Sequence, residues 1–155
     1  MKVREVMTPR PFTIDPEAPV GTAIAVMAEK KLRHLPVVTQ DGRLAGILSD
    51  RDLRSAAFAP ALAEHLSETA KRRLTAVGVR LEELPVRRLM TVDVVTIGPD
   101  APIAKAAALM LDGRLGSLPV VEDGRLVGIV TERDALKALA ALVATTTPVN
   151  SSLLW

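Results

Sequence analysis

The chain contains an internal repeat, which limits the folds that it can adopt. The stretch DGRLAGILSDRD at residues 41–52 returns as DGRLVGIVTERD at residues 123–134, with eight of twelve positions identical. The four differences keep the chemical type, since apolar replaces apolar, hydroxyl replaces hydroxyl and acid replaces acid. A repeat of this kind predicts two copies of one supersecondary unit that bury a shared core.

The repeat extends well beyond this stretch. Met7-Thr8 aligns with Met90-Thr91, and HLPVV at 34–38 aligns with SLPVV at 117–121, both at a shift of 83 residues. The shift falls to 82 from Asp41 onward, because TQDG in the first copy becomes EDG in the second. A turn tolerates such a deletion best, so the repeat locates a turn in each copy.

Each copy predicts the order strand, helix, strand, strand, helix. Apolar residues recur at helical spacing from Val20 to Ala28 and from Ile103 to Leu111. A β-like run, FTI or VVTI, comes before this helix and ends in Asp-Pro or Gly-Pro-Asp, which can cap the helix. LPVV, an Asp-Gly turn and RLAGIL or RLVGIV predict a β-hairpin. A second helix is predicted from Ser49 to Pro60, and another from Thr131 to the Thr-rich stretch before Pro148.

The predicted fold class is α/β, with two β-α-β-β-α units related by a pseudo-twofold axis and packed through their sheets. We expect one domain at 1–59, a linker helix at 60–84, a second domain at 85–144 and a C-terminal tail at 145–155. A unit of about 55 residues with one-faced helices cannot cover its own apolar surface, so each copy needs the other.

Composition narrows the function classes. Hydrophobic residues make up 48% of the 155 residues and aromatics 2%, which predicts an aliphatic core and little surface for stacking nucleic-acid bases. A net charge of +2 does not point to a polyanionic partner. The chain has no cysteine, which excludes disulfides and thiolate zinc sites. Neither an export signal nor a membrane span is recognisable, so we expect a soluble cytoplasmic protein.

One motif with a hydroxyl and a carboxylate occurs in both copies of the repeat. Ser49-x-x-Asp52 and Thr131-x-x-Asp134 each follow an apolar strand and have the pattern of a helix capping box. The same helix start can also hold an anion, helped by Arg51 or Arg133, and a carboxylate there can accept hydrogen bonds from the two hydroxyls of a ribose. Both interpretations stay open from the residues alone.

Other candidate groups have simpler interpretations. His34 and His65 lack the neighbouring carboxylates of a metal site and are predicted to lie at a strand edge or in solvent. The basic stretches AKRRL and VRRL are predicted to be solvated helix faces rather than a nucleic-acid surface. The glycines of the DG, AG and VG pairs are predicted to serve turns and close backbone contacts. No spacing suggests a catalytic triad.

The ordered set VREVMTPRPFTI, HLPVV and DGRLAGILSDRDL, repeated as VRRLMTVDVVTI, SLPVV and DGRLVGIVTERDAL, resembles the cystathionine-β-synthase (CBS) domain. Two copies in tandem resemble a Bateman module, and the resemblance covers nearly the whole chain. It implies a non-catalytic regulatory module that requires no cofactor. Such a module binds adenine nucleotides (AMP, ADP, ATP or S-adenosylmethionine) in clefts between its two domains, and it signals through a partner or through dimer geometry.

The resemblance also implies two ligand sites, in which the Ser/Thr-x-x-Asp position binds ribose and phosphate while neighbouring strands enclose the adenine. The first site would consist of Thr13, Ile14, Leu35, Pro36, Ser49, Arg51 and Asp52. The second site would consist of Thr96, Ile97, Leu118, Pro119, Thr131, Arg133 and Asp134. Arg33-His34 precedes LPVV in the first copy where Gly116-Ser117 stands in the second, so the first site is expected to be more basic.

A rival hypothesis is a ligand-free scaffold that dimerises or docks on an enzyme or transporter. Helices carrying Ile24, Met27, Ile103 and Met110 are apolar enough that we expect a homodimer. The regulated protein target is not identified by the sequence, and neither a membrane nor a nucleic acid is expected as a partner.

Overall fold

The computed structural model describes residues 1–63 and 81–146, which divide into two compact units. The first unit lies within Phe12–Val94. The second unit combines Met1–Pro11 with the described residues from Val95 onward. The helices and strands are, in chain order, β1 Thr8–Pro9, α1 Val20–Lys30, β2 His34–Val38, β3 Leu44–Ser49, α2 Asp50–Ala63, α3 Ile103–Gly113, β4 Ser117–Glu122, β5 Arg125–Thr131 and α4 Glu132–Thr146. Short 3₁₀ helices lie at Val3–Glu5, Leu81–Glu83 and Val86–Arg88.

The predicted hairpin forms in both units. β2 pairs antiparallel with β3, and β4 pairs antiparallel with β5 in the same register, with a bulge near the end of β2 and of β4. In the first unit Leu35 lies opposite Leu48, and in the second Leu118 lies opposite Val130. All four side chains are fully buried, so each hairpin places an aliphatic face against its own core.

The strand predicted before the first helix of each copy is reduced to a single bridge residue. Ile14 pairs in parallel with Val37, and Ile97 pairs with Val120. Ile14 donates its N–H to the carbonyl of Pro36 (3.1 Å) and accepts from the N–H of Val38 (2.9 Å). The predicted short β-like run therefore pairs at one residue in each copy, and in the first copy prolines at 11, 16 and 36 remove N–H groups that a longer ladder needs.

The opening segment of each copy pairs with the hairpin of the other copy. β1, from the start of the chain, pairs with β5 of the second unit, with Thr8 opposite Ile129. Thr91, from the second copy, pairs with Ile47 of the first unit. Each compact unit therefore combines most of one sequence repeat with the opening segment of the other. The domain ranges 1–59 and 85–144 stay a prediction.

Glycines make these close contacts possible, as the sequence indicated. A Cβ on Gly46 would lie 2.7 Å from the carbonyl oxygen of Thr91. A Cβ on Gly128 would overlap the sulfur of Met7. Gly42 and Gly124 hold the hairpin turns with φ of 83° and 76°, a region that glycine occupies without strain.

Each unit has an aliphatic core. The core of the first unit includes Val20, Ala23, Met27, Leu35, Leu48 and Val86. The core of the second includes Val3, Ile103, Ala106, Met110, Leu118 and Val130. Part of the predicted apolar helix face lies outside these cores, since Ile24 on α1 and Leu111 on α3 are exposed.

Two predictions about helix ends are wrong. The residues before α1 and α3 are Pro19 and Pro102, without a side-chain cap, because the expected acids lie too far upstream. Asp15 instead accepts a hydrogen bond from the N–H of Glu17 (2.8 Å). α2 continues past Pro60 to Ala63, since a proline inside a helix removes one hydrogen bond without forcing the helix to end. The rest of the predicted linker helix (64–80) and the tail from 147 onward lie outside the described residues.

Candidate functional site

The Ser49-x-x-Asp52 motif forms a complete capping box at the start of α2. Asp52 Oδ2 accepts hydrogen bonds from the Ser49 N–H (2.8 Å) and from the Ser49 hydroxyl (2.7 Å). The Asp52 N–H in turn donates to Ser49 Oγ (3.2 Å). The capping interpretation of the sequence motif is confirmed, and the carboxylate is fixed in one orientation.

The second copy repeats this geometry at the start of α4. Asp134 Oδ2 accepts from the Thr131 N–H (2.9 Å) and from the Thr131 hydroxyl (2.7 Å), while the Asp134 N–H donates to Thr131 Oγ1 (3.3 Å). Each box lies within one compact unit. The two copies therefore present the same carboxylate arrangement on separate units.

The two oxygens of each carboxylate have different surroundings. Oδ2 of Asp52 and Oδ2 of Asp134 take all the capping bonds, and within residues 1–63 and 81–146 no hydrogen bond reaches either Oδ1. Both side chains are only half-buried. A carboxylate has about four lone-pair sites, so the cap leaves acceptor capacity for a ligand hydroxyl. Capping and ligand binding are thus compatible at the same residue.

The backbone at each helix start offers less to an anion than its sequence suggested. The Asp50 N–H donates to the carbonyl of Arg33 (3.0 Å), and the Glu132 N–H donates to the carbonyl of Gly116 (3.1 Å). The Asp52 and Asp134 N–H groups are already used in the capping boxes. Two of the first three N–H groups of each helix are therefore satisfied, so a phosphate there would depend more on side-chain charge.

The residues predicted to enclose a base lie beside the capping boxes on neighbouring strands. Ile14 is hydrogen-bonded to Pro36, next to Leu35 on β2, and Ile97 donates its N–H to the carbonyl of Pro119 (3.1 Å) in the same way. The side chains at these strand positions belong to the cores: Ile14, Leu35, Pro36, Ile97, Leu118 and Pro119 are buried. Thr13, Thr96, Arg51 and Arg133 are exposed. The buried members can reach a ligand mainly through backbone groups.

The side chains of Arg33 and Arg54 also lie at the start of α2. Arg54 donates to Asp50 Oδ2 at 3.1 Å, and Arg33 Nε lies 3.6 Å from the same oxygen. Sequence reasoning noted Arg33 but missed Arg54, although an acid and a base four residues apart on a helix are a recognisable pair.

Ser117 is a second residue that sequence reasoning placed without assigning a role. It lies opposite Thr131 in the β4–β5 pairing, is 7% exposed, and its hydroxyl has no hydrogen-bond partner among the described residues. Directly opposed residues project to the same side of a sheet, so this hydroxyl lies beside the second capping box. Its burial depends on strand register and could not be inferred from the sequence alone.

The remaining candidate groups contribute no further site in the described parts of the chain. No cluster of His, Asp or Glu there could hold a metal ion. His34 begins β2 opposite Ser49, and Arg87 of the VRRL stretch is bound to Glu17 at 2.7 Å. His65 and the AKRRL stretch lie outside the described residues. Across residues 1–63 and 81–146, no helix is long and apolar enough to cross a bilayer.

Comparison with known proteins agrees with this geometry. The family model of the CBS domain matches residues 3–59 and 86–141. A CBS domain-containing protein of Dictyostelium discoideum is 33% identical over 150 residues, which cover 94% of this chain and 96% of that protein. The A-adding tRNA nucleotidyltransferase of Aquifex aeolicus is 30% identical over 139 residues, which cover 90% of this chain and 14% of the enzyme. The solved structure of CBSX2 from Arabidopsis thaliana in complex with AMP has a TM-score of 0.75 and 28% identity, covering 92% of this chain and 98% of that one.

Proposed function

The chain belongs to the CBS domain family, and we propose that it binds an adenosine ligand, either an adenine nucleotide or S-adenosylmethionine, at each of its two capping boxes and reports the occupancy to a protein partner. Paired CBS domains form a regulatory module, and the comparisons indicate no catalytic family for this chain. The chain spans nearly the whole of its Dictyostelium relative but only a small part of the Aquifex enzyme. The activity of that enzyme is therefore not assigned to this chain.

The proposal rests on the different roles of the two oxygens of each carboxylate. Oδ2 of Asp52 holds Ser49 in place, so Oδ1 has a fixed position and free acceptor capacity. A ribose offers two adjacent hydroxyl donors, and a charged acceptor gives hydrogen bonds worth about 1.5–3 kcal/mol each. The same arrangement at Asp134 gives a second ribose position.

The strand positions beside each box support adenine as the base. The side chains of Leu35 and Leu118 are fully buried in the cores, so a ligand at these strand positions meets backbone rather than polar side chains. The backbone of Thr13 and of Thr96 precedes the bridge residues and can supply hydrogen bonds to a base edge. CBSX2, which shares this fold at 28% identity, was solved with AMP.

A thermal-shift series tests the proposal. AMP, ATP and S-adenosylmethionine are compared with GMP, which keeps the ribose and phosphate but changes the base. A ligand at about 100 times its dissociation constant adds roughly 2.7 kcal/mol per site, so at least one adenosine compound should raise the melting temperature well above the GMP control. No shift with any adenosine compound at millimolar concentration would overturn it.

The second candidate is a ligand-free scaffold, and one observation favours it. The capping box alone accounts for both carboxylates structurally, because loss of such a cap costs about 1 kcal/mol. Under this hypothesis the module acts only through its surfaces. The same thermal-shift series separates the two candidates, since a scaffold would not respond to any nucleotide.

We also propose that the protein forms a homodimer, but through α4. The sequence had suggested the helices that carry Ile24, Met27, Ile103 and Met110, and the last three of these side chains are buried. Leu136, Leu139 and Val143 follow one another at helical spacing on this helix and are 65%, 56% and 54% exposed. An apolar stripe of this kind on a helix is typical of a surface that packs against another helix. Light scattering across micromolar concentrations should give the mass of a dimer, and an ideal monomer mass throughout would contradict the proposal.

A further inference from the structure

The two helix starts carry different charges. In the first unit Arg33, Arg51 and Arg54 accompany Asp50 and Asp52. At the matching positions of the second unit a glycine, one arginine and a leucine accompany Glu132 and Asp134. Counted over these positions the first helix start has a net charge of +1 and the second a net charge of −1. The repeat conserves the carboxylate that would hold a ribose but not the charge around it.

The arginines of the first unit are grouped and accessible. Arg33 and Arg54 both approach the same oxygen of Asp50, at 3.6 Å and 3.1 Å, while their side chains are 76% and 64% exposed. Ion pairs of this kind at a surface contribute little to stability, so both guanidinium groups can turn to a bound phosphate. Arginine suits phosphate because its planar group donates two parallel hydrogen bonds.

The second unit has an unsatisfied buried hydroxyl instead. Ser117 lies beside Thr131 and is more than nine-tenths buried, and among the described residues its Oγ has no partner. A buried polar group without a hydrogen bond is unfavourable, so a ligand that supplies one would be favoured at this position. A hydroxyl can recognise a neutral polar group as readily as a charged one. Lys137 lies one turn after Arg133 on α4 and is the next cation along the helix.

We propose that the two sites take different classes of adenosine ligand. The first site takes adenosine that carries a polyphosphate, whereas the second takes adenosine whose 5′ substituent lacks phosphate. This inference rests on the proposed function, because it assumes that both sites hold adenine and ribose. It implies that the protein compares two adenosine-based signals rather than counting one nucleotide twice.

The test compares ATP with adenosine, which share base and ribose and differ only in the triphosphate. Calorimetric titrations are made without divalent cations on Asp134→Asn, which leaves the first site intact, and on Asp52→Asn, which leaves the second. The first site should bind ATP roughly 10-fold or more tighter than adenosine, since each charged hydrogen bond contributes at least that factor. The second site should bind ATP no tighter than adenosine.

The chain supplies its own matched variants for this charge difference. Arg33→Gly with Arg54→Leu gives the first site the residues of the second, and its preference for ATP should fall roughly 10-fold or more. Arg43→Ala removes an arginine of the same unit that pairs with Asp41 on the hairpin turn, and should leave the preference unchanged. Ser117→Ala should weaken adenosine binding at the second site without lowering the melting temperature of the free protein.

The outcomes separate the two proposals. Equal ATP preference at both sites, or an unchanged preference in the double arginine variant, would overturn the different ligand classes while leaving nucleotide binding intact. Unchanged adenosine affinity in Ser117→Ala would remove the second site's part of the inference. If neither ATP nor adenosine binds the wild-type protein, the proposed function itself fails, and this inference fails with it.

Discussion

The absence of a side chain at Gly46 and Gly128 allows a neighbouring segment to lie close against each hairpin. The backbone of Thr91 passes so near Gly46 that an added Cβ would lie 2.7 Å from its carbonyl oxygen. A Cβ on Gly128 would lie 3.1 Å from the carbonyl of Thr8. A backbone carbonyl obstructs each position in addition to the side chain of Met90 or Met7, so a larger residue requires the neighbouring backbone to move.

Replacing Gly46 by Ala should therefore destabilise the protein by about 1–3 kcal/mol, the usual cost of overpacking a tight contact. Gly98→Ala is the matched control, since a Cβ there meets no heavy atom within 4 Å. Urea denaturation of both variants measures the difference. Free energies of unfolding within about 0.5 kcal/mol of each other would show that the close approach is not rigid.

The first 3₁₀ helix, Val3–Glu5, packs against the loop that leads into α3. Val3 and Arg4 donate their N–H groups to the carbonyls of Ala101 and Pro99, both at 2.9 Å. Asp100 accepts hydrogen bonds from Lys2 (3.0 Å) and Arg4 (2.6 Å). These two hydrogen bonds lower the pKa of Asp100 from its ordinary value. An acid that the sequence suggested as a helix cap instead anchors the start of the chain.

The lowered pKa of Asp100 predicts an acid-dependent contribution to stability. The folded state holds the carboxylate more strongly than the unfolded state, so the contribution is present above the ordinary value of 3.8 and is lost as pH falls through the lower folded pKa. Asp100→Asn should be less stable than wild type near neutrality and equal to it at the acid end. Melting temperatures from pH 7 to strong acid measure this, and a constant difference between the two proteins would contradict it.

The elements that the sequence predicted well are those with local signals. The 3.6-residue period marks α1 and α3, the Asp-Gly pair marks the hairpin turns, and three-residue spacing marks the capping boxes. The edge strands were not predicted, because a two-residue strand such as Thr8–Pro9 has no period and its partner is more than a hundred residues away. Ser117 entered the second site only through strand register, whereas the four-residue spacing of Asp50 and Arg54 was visible in the sequence and was missed.

The opening segments are exchanged between the two copies of the repeat. Val3 is fully buried in the core of the second unit, and Val86 is fully buried in the core of the first. Each unit is therefore completed by a residue that belongs, by sequence, to the other copy. The repeat predicted the two units, but two similar copies do not reveal which opening segment pairs with which hairpin.

This exchange predicts which hairpin each core mutation will destabilise. Val3→Ala should cost about 1–3 kcal/mol and speed amide hydrogen exchange in 117–131 of the second unit, rather than in 34–49 of its own copy. Val86→Ala is the matched variant and should loosen 34–49 instead. Hydrogen exchange followed by mass spectrometry resolves the two segments. Faster exchange confined to each variant's own copy would contradict the exchanged arrangement.

We propose that Asp52 and Asp134 each hold a ribose while they cap a helix. Asparagine keeps the size of aspartate and an oxygen for the cap but replaces the other oxygen with an amide, so the cap survives and the charged acceptor is lost. Calorimetric titration of the wild type, Asp52→Asn and Asp134→Asn with adenosine, which both proposed ligand classes contain, tests this. We expect each variant to lose roughly 10-fold or more in affinity at its own site, with the other site and the melting temperature of the free protein almost unchanged. If both variants titrate like the wild type, the carboxylates are caps alone and the ligand assignment is wrong.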